Sequence, residues 1–505
     1  MLKSFMRKFI KNYSTIITFV SLLSLTFSLR ILHIHSADFW RDEAFSIRVA
    51  EQTFRDVIEV IAKDTAPPLH TIILHAWLKL FGIGELSARL PSLIFGVLTV
   101  IPTYLIADKI FSKNIDKYIA MLLFILNPLL IWYSQEARAY SLLLLIGVTS
   151  LYFTLDIITS KNLGMRNGLG LFLSTVLGLY THNLFLFIGL INLLLILNNF
   201  ISLKNRGKIF ENKNVIGKLL AIYMLAGMLY LPWFIILIQQ LKVVAGQGFW
   251  LQFHPLLDIF IVIAFAFSGE LYMPHFPVYM SFILITVWAV SVTLTFTSLL
   301  FRQKTKSLGT IMAWFWGLLI LIWLYSFNTS FFYIRYLLFL VPAAIIIVTE
   351  SLRRIRRKSK LVFTLLTSLL LISTLIIDIH HYLRAPTAKE RMTNLISDLD
   401  YQENDIILHT NAFTHHSFNI YSEFPNQIYN PNNDLLYYEG LAVIKESDYY
   451  RQQEVKGYDR VWVIYLWSPK QHMTRVLEHN YNLRQKYDYN GHLHMELWTL
   501  DFNKA

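Results

Sequence analysis

The stretch Asp38-Phe-Trp-Arg-Asp-Glu-Ala-Phe-Ser-Ile-Arg-Val-Ala-Glu51 follows directly on an apolar run in which residues 13–29 carry no charge. Its adjacent carboxylates, Asp42 and Glu43, stand at a membrane edge, where ionic groups are costly unless they serve something. A carboxylate can take a proton from an attacking hydroxyl or amine. Three arginines follow: Arg89 in Gly84–Ser92, Arg138 in Asn127–Tyr140, and Arg335 beside Tyr336 in the apolar stretch Phe331–Pro342. Guanidinium suits phosphate, because it offers permanent charge and paired donors. Trp40, His70, Glu136, Tyr140, Tyr180, His182 and Tyr336 are the further polar and aromatic candidates for a pocket. A carboxylate above several arginines at a bilayer surface fits a lipid phosphate whose head group reacts there. Glycosyl transfer from a polyprenyl-phosphate sugar meets those requirements: phosphate leaves, arginines stabilise it, and Asp42 activates the acceptor.

Each residue also has a plainer reading. Asp42 and Glu43 could decorate a helix N-terminus, since "DEAFSIRVAEQTF" reads as helical and acids favour first turns. Glu136 and Arg138 could be a local ion pair, Arg89 an interfacial anchor, His182 a polar cap, and the tyrosines an aromatic belt. Arg335 resists this treatment, because a cation within an apolar run wants an anion. The argument for a site is that all these residues fall on one side of the membrane.

That side is set by charge. Apolar residues make up 55% of the 505 and charged ones 15%, and the mean hydropathy is +0.46, values of a membrane protein. Four basic residues, Lys3, Arg7, Lys8 and Lys11, precede a long apolar run with no cleavage site after it, which reads as an uncleaved anchor. Further basic clusters lie at 109–117, 161–166, 204–218, 302–306 and 353–360. Short basic loops stay cytoplasmic, and all six clusters do so only if the short apolar runs 67–82 and 256–268 do not span. Eleven spanning helices are then expected, at about 13–34, 91–108, 117–133, 139–159, 167–182, 183–201, 219–239, 277–301, 309–327, 331–350 and 360–379. The N-terminus is cytoplasmic. Segment 35–90, the turn 134–138, the corner Tyr180–Asn183, segment 240–276 and everything after about 380 are outside. The net charge of +12 is thereby an orientation signal and not a nucleic-acid footprint. The absence of cysteine excludes disulfides, thiolate zinc sites and a cysteine nucleophile.

The last 120 or so residues change character. Asp405–Thr410, Arg460–Leu466 and His494–Leu500 read as strands, with helical patterns at 387–399 and 469–480 between them. The expected organisation is a helical polytopic membrane domain over 1–383, with a catalytic outer loop at 35–90, and a small extracytoplasmic α/β domain over 384–505.

The ordered series "W-x-DE-A" at Trp40–Ala44, "PPL" at Pro67–Leu69, "E-x-x-x-R-x-PS" at Glu85–Ser92, "NP…YSQEARAY" at Asn127–Tyr140, "YTHN" at Tyr180–Asn183 and "RYLLFLVP" at Arg335–Pro342 resembles the GT-C glycosyltransferases. Closest are the glycosyltransferase family 39 protein O-mannosyltransferases and the aminoarabinose transferases, over roughly residues 10–380. The resemblance implies that Asp42 is the catalytic residue, with Glu43 beside it as a supporting acid or metal ligand, and that Arg89 is functionally important. Two departures stand out. Where aminoarabinose transferases carry a phosphate-binding lysine, this chain has Ala66, so the donor phosphate would fall to Arg138 and Arg335. The lectin-like β-trefoil of the protein mannosyltransferases is not found, so protein O-mannosylation is not implied.

The expectation is an inverting transferase in the plasma membrane, taking a polyprenyl-phosphate sugar to a lipid, glycan or protein acceptor on the outer face. No cofactor is demanded. A divalent metal could be held among Asp42, Glu43, His70, His75 and His182, but no spacing there is diagnostic. The alternatives are a transporter or flippase of lipid-linked sugars, whose sites lie nearer the midplane, and a non-catalytic envelope assembly protein.

Overall fold

A computed structural model describes residues 2–205, 215–247, 251–270, 278–300, 305–388, 391–433, 435, 440–467, 471–489 and 491–501. Arg206, Lys208 and Lys213 of one basic cluster, and Arg302 and Lys304 of another, lie outside the described residues, as does part of the expected outer segment 240–276.

The helices run α1 (Leu2–Ile31), α2 (Arg41–Ala50), α3 (Phe54–Lys63), α4 (Leu69–Phe81), α5 (Glu85–Leu98), α6 (Val100–Ile110), α7 (Asn114–Ile125), α8 (Pro128–Ser134), α9 (Tyr140–Ser160), α10 (Met165–Leu179), α11 (Phe185–Asn205), α12 (Val215–Gln247), α13 (Pro255–Ser268), α14 (Val278–Thr297), α15 (Lys306–Tyr325), α16 (Val341–Lys358) and α17 (Lys360–Ala388). The rest of the chain adds α18 (Met392–Ser397), β1 (Asp405–His409), α19 (Ala412–Tyr421), β2 (Asn426–Tyr429), β3 (Tyr449–Tyr450), β4 (Arg460–Leu466), α20 (Gln471–Asn480), β5 (Tyr481–Tyr489) and β6 (Leu493–Leu500).

Among the described residues, eight helices are long and apolar enough to cross a membrane, or up to nine if α7 and α8, bent by 50°, form one span. The chain is a multi-pass membrane protein. Every expected span has a helical counterpart, but three differ from the expected form. The run 117–133 breaks at Asn127-Pro128, where the asparagine side chain accepts from the Leu130 amide and caps a new helix. α10 is only 15 residues long. The expected helix 331–350 begins as a 3-10 turn over Ile334–Leu340. Pro342, in the first turn of α16, has no amide proton to donate to the carbonyl four residues back. The doubtful runs became α4 and α13, of 13 and 14 residues, both short for a 30 Å crossing.

The chain forms two compact units. The first comprises Met1–Leu32, Arg89–Ile238 and Leu251–Tyr382, and the second His33–Ala88, Gln239–Trp250 and Leu383–Ala505. The outer loop thus packs with the C-terminal part, where the sequence reading grouped it with the membrane helices.

The second unit centres on a six-stranded sheet of order β3-β2-β1-β4-β6-β5. β1 to β4 run parallel, and β5 and β6 are added antiparallel. β1 and β4 are apolar over Ile406–Leu408 and Val461–Leu466, as strands covered on both faces must be. Ile406, Leu408, Val461 and Val463 pack against Met473 and Leu477 of α20. Ile407, Trp462 and Ile464 face the other way, onto Met392 and Leu395 of α18 and Phe418 of α19. The sheet is therefore wound on both faces. In α5, Pro91 lies inside the helix and cannot donate to the Ser87 carbonyl. The Trp77 indole of α4 donates to that carbonyl at 3.0 Å instead, so the proline the motif requires leaves no orphan acceptor.

Candidate functional site

In the second unit, α2 opens at Arg41 after Trp40, which is extended and makes no side-chain cap bond. The two acids lie in the first turn, where unpaired helix amides favour negative charge. They then part. Glu43 is fully buried, while Asp42 keeps partial exposure. Of the pair, Asp42 is the one an incoming substrate can reach. α4 packs beneath α2, its buried His75 bonding the Ala50 carbonyl through Nδ1 at 2.8 Å. His70, on the same helix, is also buried. Among the described residues, no three His, Asp or Glu side chains cluster as metal ligands would.

The first unit gathers the other candidates. Arg89 is 1% exposed on α5. Ser92, one turn on and so on the same helix face, donates to the Arg138 carbonyl at 3.1 Å. Arg138 lies in the turn between α8 and α9, its amide bonded to the Glu136 carbonyl at 2.8 Å. Its guanidinium stands 5.8 Å from the Tyr140 ring. Tyr140 in turn lies 6.1 Å from Tyr336. Arg335, 6% exposed, has its guanidinium 5.1 Å from the Tyr333 ring and 5.7 Å from the Tyr336 ring. His182 sits in the turn between α10 and α11, its ring 5.7 Å from Tyr336. Its Nδ1 accepts from the Leu184 amide at 3.2 Å. Burial, and then the Arg138 charge, lower its pKa from 6.5 to about 4, so the ring is neutral at physiological pH.

Glu136 is buried, with its Oε1 accepting from the Trp132 indole at 2.7 Å. Trp132 lies 4.8 Å from the His381 ring, and His381 bonds Gln135 at 3.1 Å. Tyr180 is not brought to the cluster. Its hydroxyl donates to the Leu229 carbonyl at 2.7 Å and its ring packs edge-on to Tyr230. The turn after α10 separates it from His182, two residues on.

Three members of the cluster escape a sequence reading. Glu270 follows Gly269, whose φ of +78° ends α13 in a conformation glycine adopts without strain. Its carboxylate accepts from the Tyr133 hydroxyl and from the Tyr333 hydroxyl at 3.0 Å. Tyr133 lies 5.1 Å from Tyr140. The available signal was a lone acid closing an apolar run. What results is two buried or half-buried guanidiniums and a neutral imidazole on a scaffold of tyrosines, an arrangement that can hold a phosphate and its sugar by charge, donors and ring faces.

Residues 65–233, about a third of the chain, match the family described as "Dolichyl-phosphate-mannose-protein mannosyltransferase". The matched span includes His70, Arg89, Glu136, Arg138, Tyr140, Tyr180 and His182, and excludes Asp42, Glu43, Arg335 and Tyr336. No curated protein sequence matches the chain. Among solved structures, the fold resembles ArnT from Cupriavidus metallidurans in the apo state, with a TM-score of 0.56 and 12% identity over 96% of this chain and 98% of that one. The same protein bound to undecaprenyl phosphate gives a TM-score of 0.54, again at 12% identity over 96% and 98% of the two chains. In motif and in fold, the chain resembles the GT-C glycosyltransferases.

Proposed function

We propose that this chain is an inverting membrane glycosyltransferase that moves a sugar from a polyprenyl-phosphate donor to a lipid, glycan or protein acceptor on the extracytoplasmic face of the plasma membrane. The observation that carries this reading is the gathering of Arg138 and Arg335 on one tyrosine cluster with His182 held neutral beside Arg138. Support comes from the relatives, since the matched family is described by dolichyl-phosphate-mannose and the ArnT fold has been captured with undecaprenyl phosphate. Both ligands are polyprenyl phosphates.

Arg138, Arg335 and Arg89 would hold the donor phosphate. The acceptor hydroxyl or amine attacks the sugar's anomeric carbon, the bond to phosphate oxygen breaks, and polyprenyl phosphate departs with the electron pair. Asp42 takes the acceptor's proton, and the arginines stabilise the charge that develops on the phosphate. Glu43, buried next to Asp42 in the same helix turn, would be a supporting acid or metal ligand. No step requires a metal, and chelator is expected to leave transfer intact. The test is product formation by the purified protein in detergent supplied with a polyprenyl-phosphate sugar and acceptor. A transferase releases polyprenyl phosphate there. A transporter, deprived of a second compartment, releases none.

A further inference from the structure

The segment Asp38–Phe45, which carries Asp42, is held at Asp38, Phe39, Arg41 and Phe45 by chain beyond position 390. An Asp38 carboxylate oxygen accepts from the amide and the hydroxyl of Thr393, both at 2.8 Å. The Phe39 amide donates to the Tyr421 hydroxyl at 2.7 Å, and that hydroxyl donates to Glu85, at the start of α5, at 2.8 Å. Tyr421 thereby ties the approach to α2 to the first residue of the helix that bears Arg89. The Arg41 guanidinium stands 4.9 Å from the Trp467 ring, 5.6 Å from Phe413 and 5.3 Å from Trp40. Phe45 lies 5.7 Å from the His416 ring. It also covers Gly440, which has φ +79°, and where a Cβ would come within 2.6 Å of its ring.

The position of the Arg41 cage in the sheet is informative. Phe413 opens α19 just after β1, and Trp467 follows β4 directly. β1 and β4 are neighbours, yet the chain leaves them for helices on opposite faces, α19 and α20. This is the switch point of a doubly wound sheet, outside the carboxyl ends of its strands, where such sheets hold their ligands. Trp467 has φ +63°, a backbone state that a bulky residue keeps only when its surroundings impose it. The crevice is occupied by this chain's own Arg41, one residue before Asp42.

We propose that the C-terminal sheet domain is a template for α2, with Arg41 and Tyr421 as positioning residues that set the Asp42 carboxylate; the proposal rests on Asp42 being the base. A helix is rigid over so short a span, so the residue before Asp42 sets both its rotation and its height. Misplacement by about 1 Å can cost on the order of 100-fold in rate.

The experiment uses the full chain with Trp467→Ala, and Tyr421→Phe as a milder variant that removes only the two hydroxyl bonds. Amide exchange across Arg41–Ala50 is read together with donor-supplied transfer. The template predicts faster exchange in α2, unchanged exchange in β1 and β4, and kcat reduced at least tenfold with donor KM within twofold. Arg41→Lys, which keeps a cation over the rings, recovers part of the kcat lost in Arg41→Gln. Unchanged α2 exchange in both variants, or faster exchange with full kcat, overturns the proposal. Asp42→Asn in the same assay separates the two claims. Full activity there removes the base assignment, whereas unchanged α2 exchange in both Trp467→Ala and Tyr421→Phe removes the template alone.

Discussion

The half-buried His182 imidazole lies near the Arg138 guanidinium and is neutral in consequence, its pKa lowered to about 4 by desolvation first and by Arg138 second. A neutral ring next to the arginine adds no second positive charge there. It also means that His182 does not titrate where such an enzyme works. The prediction is that the pH dependence of transfer between 5.5 and 8 keeps its shape in His182→Asn, whatever happens to its height. Initial rates at saturating donor check this, and loss of a limb of the profile in the variant would make His182 a proton carrier.

Arg335 is expected to act mainly on donor binding. Its guanidinium is buried over Tyr333 and Tyr336, and hydrogen bonds to charged groups contribute about 1.5–3 kcal/mol. Arg335→Gln should therefore raise donor KM roughly 10- to 100-fold. Arg335→Lys should restore little, because an ammonium cannot present paired planar donors or stack on the rings. Steady-state kinetics in donor concentration is the measurement, and an unchanged KM would take Arg335 out of the phosphate site.

A pair of buried histidines makes the template sensitive to acid. Burial, and then Arg48 of α2, lower His415 of α19 from 6.5 to about 3. Burial, and then His415, hold His409 of β1 well below its ordinary value. Groups lowered on folding contribute their full stability above the unfolded pKa, near 6.5. That stability is lost as pH falls from 6.5 through the folded value, because the unfolded chain binds the proton first. Amide protection in α19 and α2, taken relative to the intrinsic exchange rate at each pH, should accordingly be lower at pH 5 than at pH 7.5, and His415→Gln should flatten part of that difference. Equal protection at the two pH values would contradict the burial of these rings.

Much of this was legible in the sequence for physical reasons. Charge kept 67–82 and 256–268 from being counted as spans, and they are the short helices α4 and α13. β1 and β4 announced themselves by the apolar runs Ile406–Leu408 and Val461–Leu466, and β6 by apolar residues alternating with His494 and Glu496. β5 did not, because its middle residues are exposed and its charged sequence has no buried face to advertise. Arg41 read as one more charge beside Asp42, since its partners Phe413 and Trp467 lie hundreds of residues away. Tyr180 and His182 shared a motif and so were expected in one pocket, but a turn sends the first to Leu229. Glu270 was invisible for the opposite reason: its partners are tyrosines from two separate segments that only packing brings together.

The central claim is that Asp42 takes the acceptor's proton. It is tested most directly by transfer with purified Asp42→Asn, an isosteric change that removes the base and leaves the helix turn. The account predicts kcat lower by roughly 10²- to 10⁴-fold, the usual contribution of a positioned base, with donor KM little changed because the arginines are intact. Near-full transfer by Asp42→Asn would contradict it.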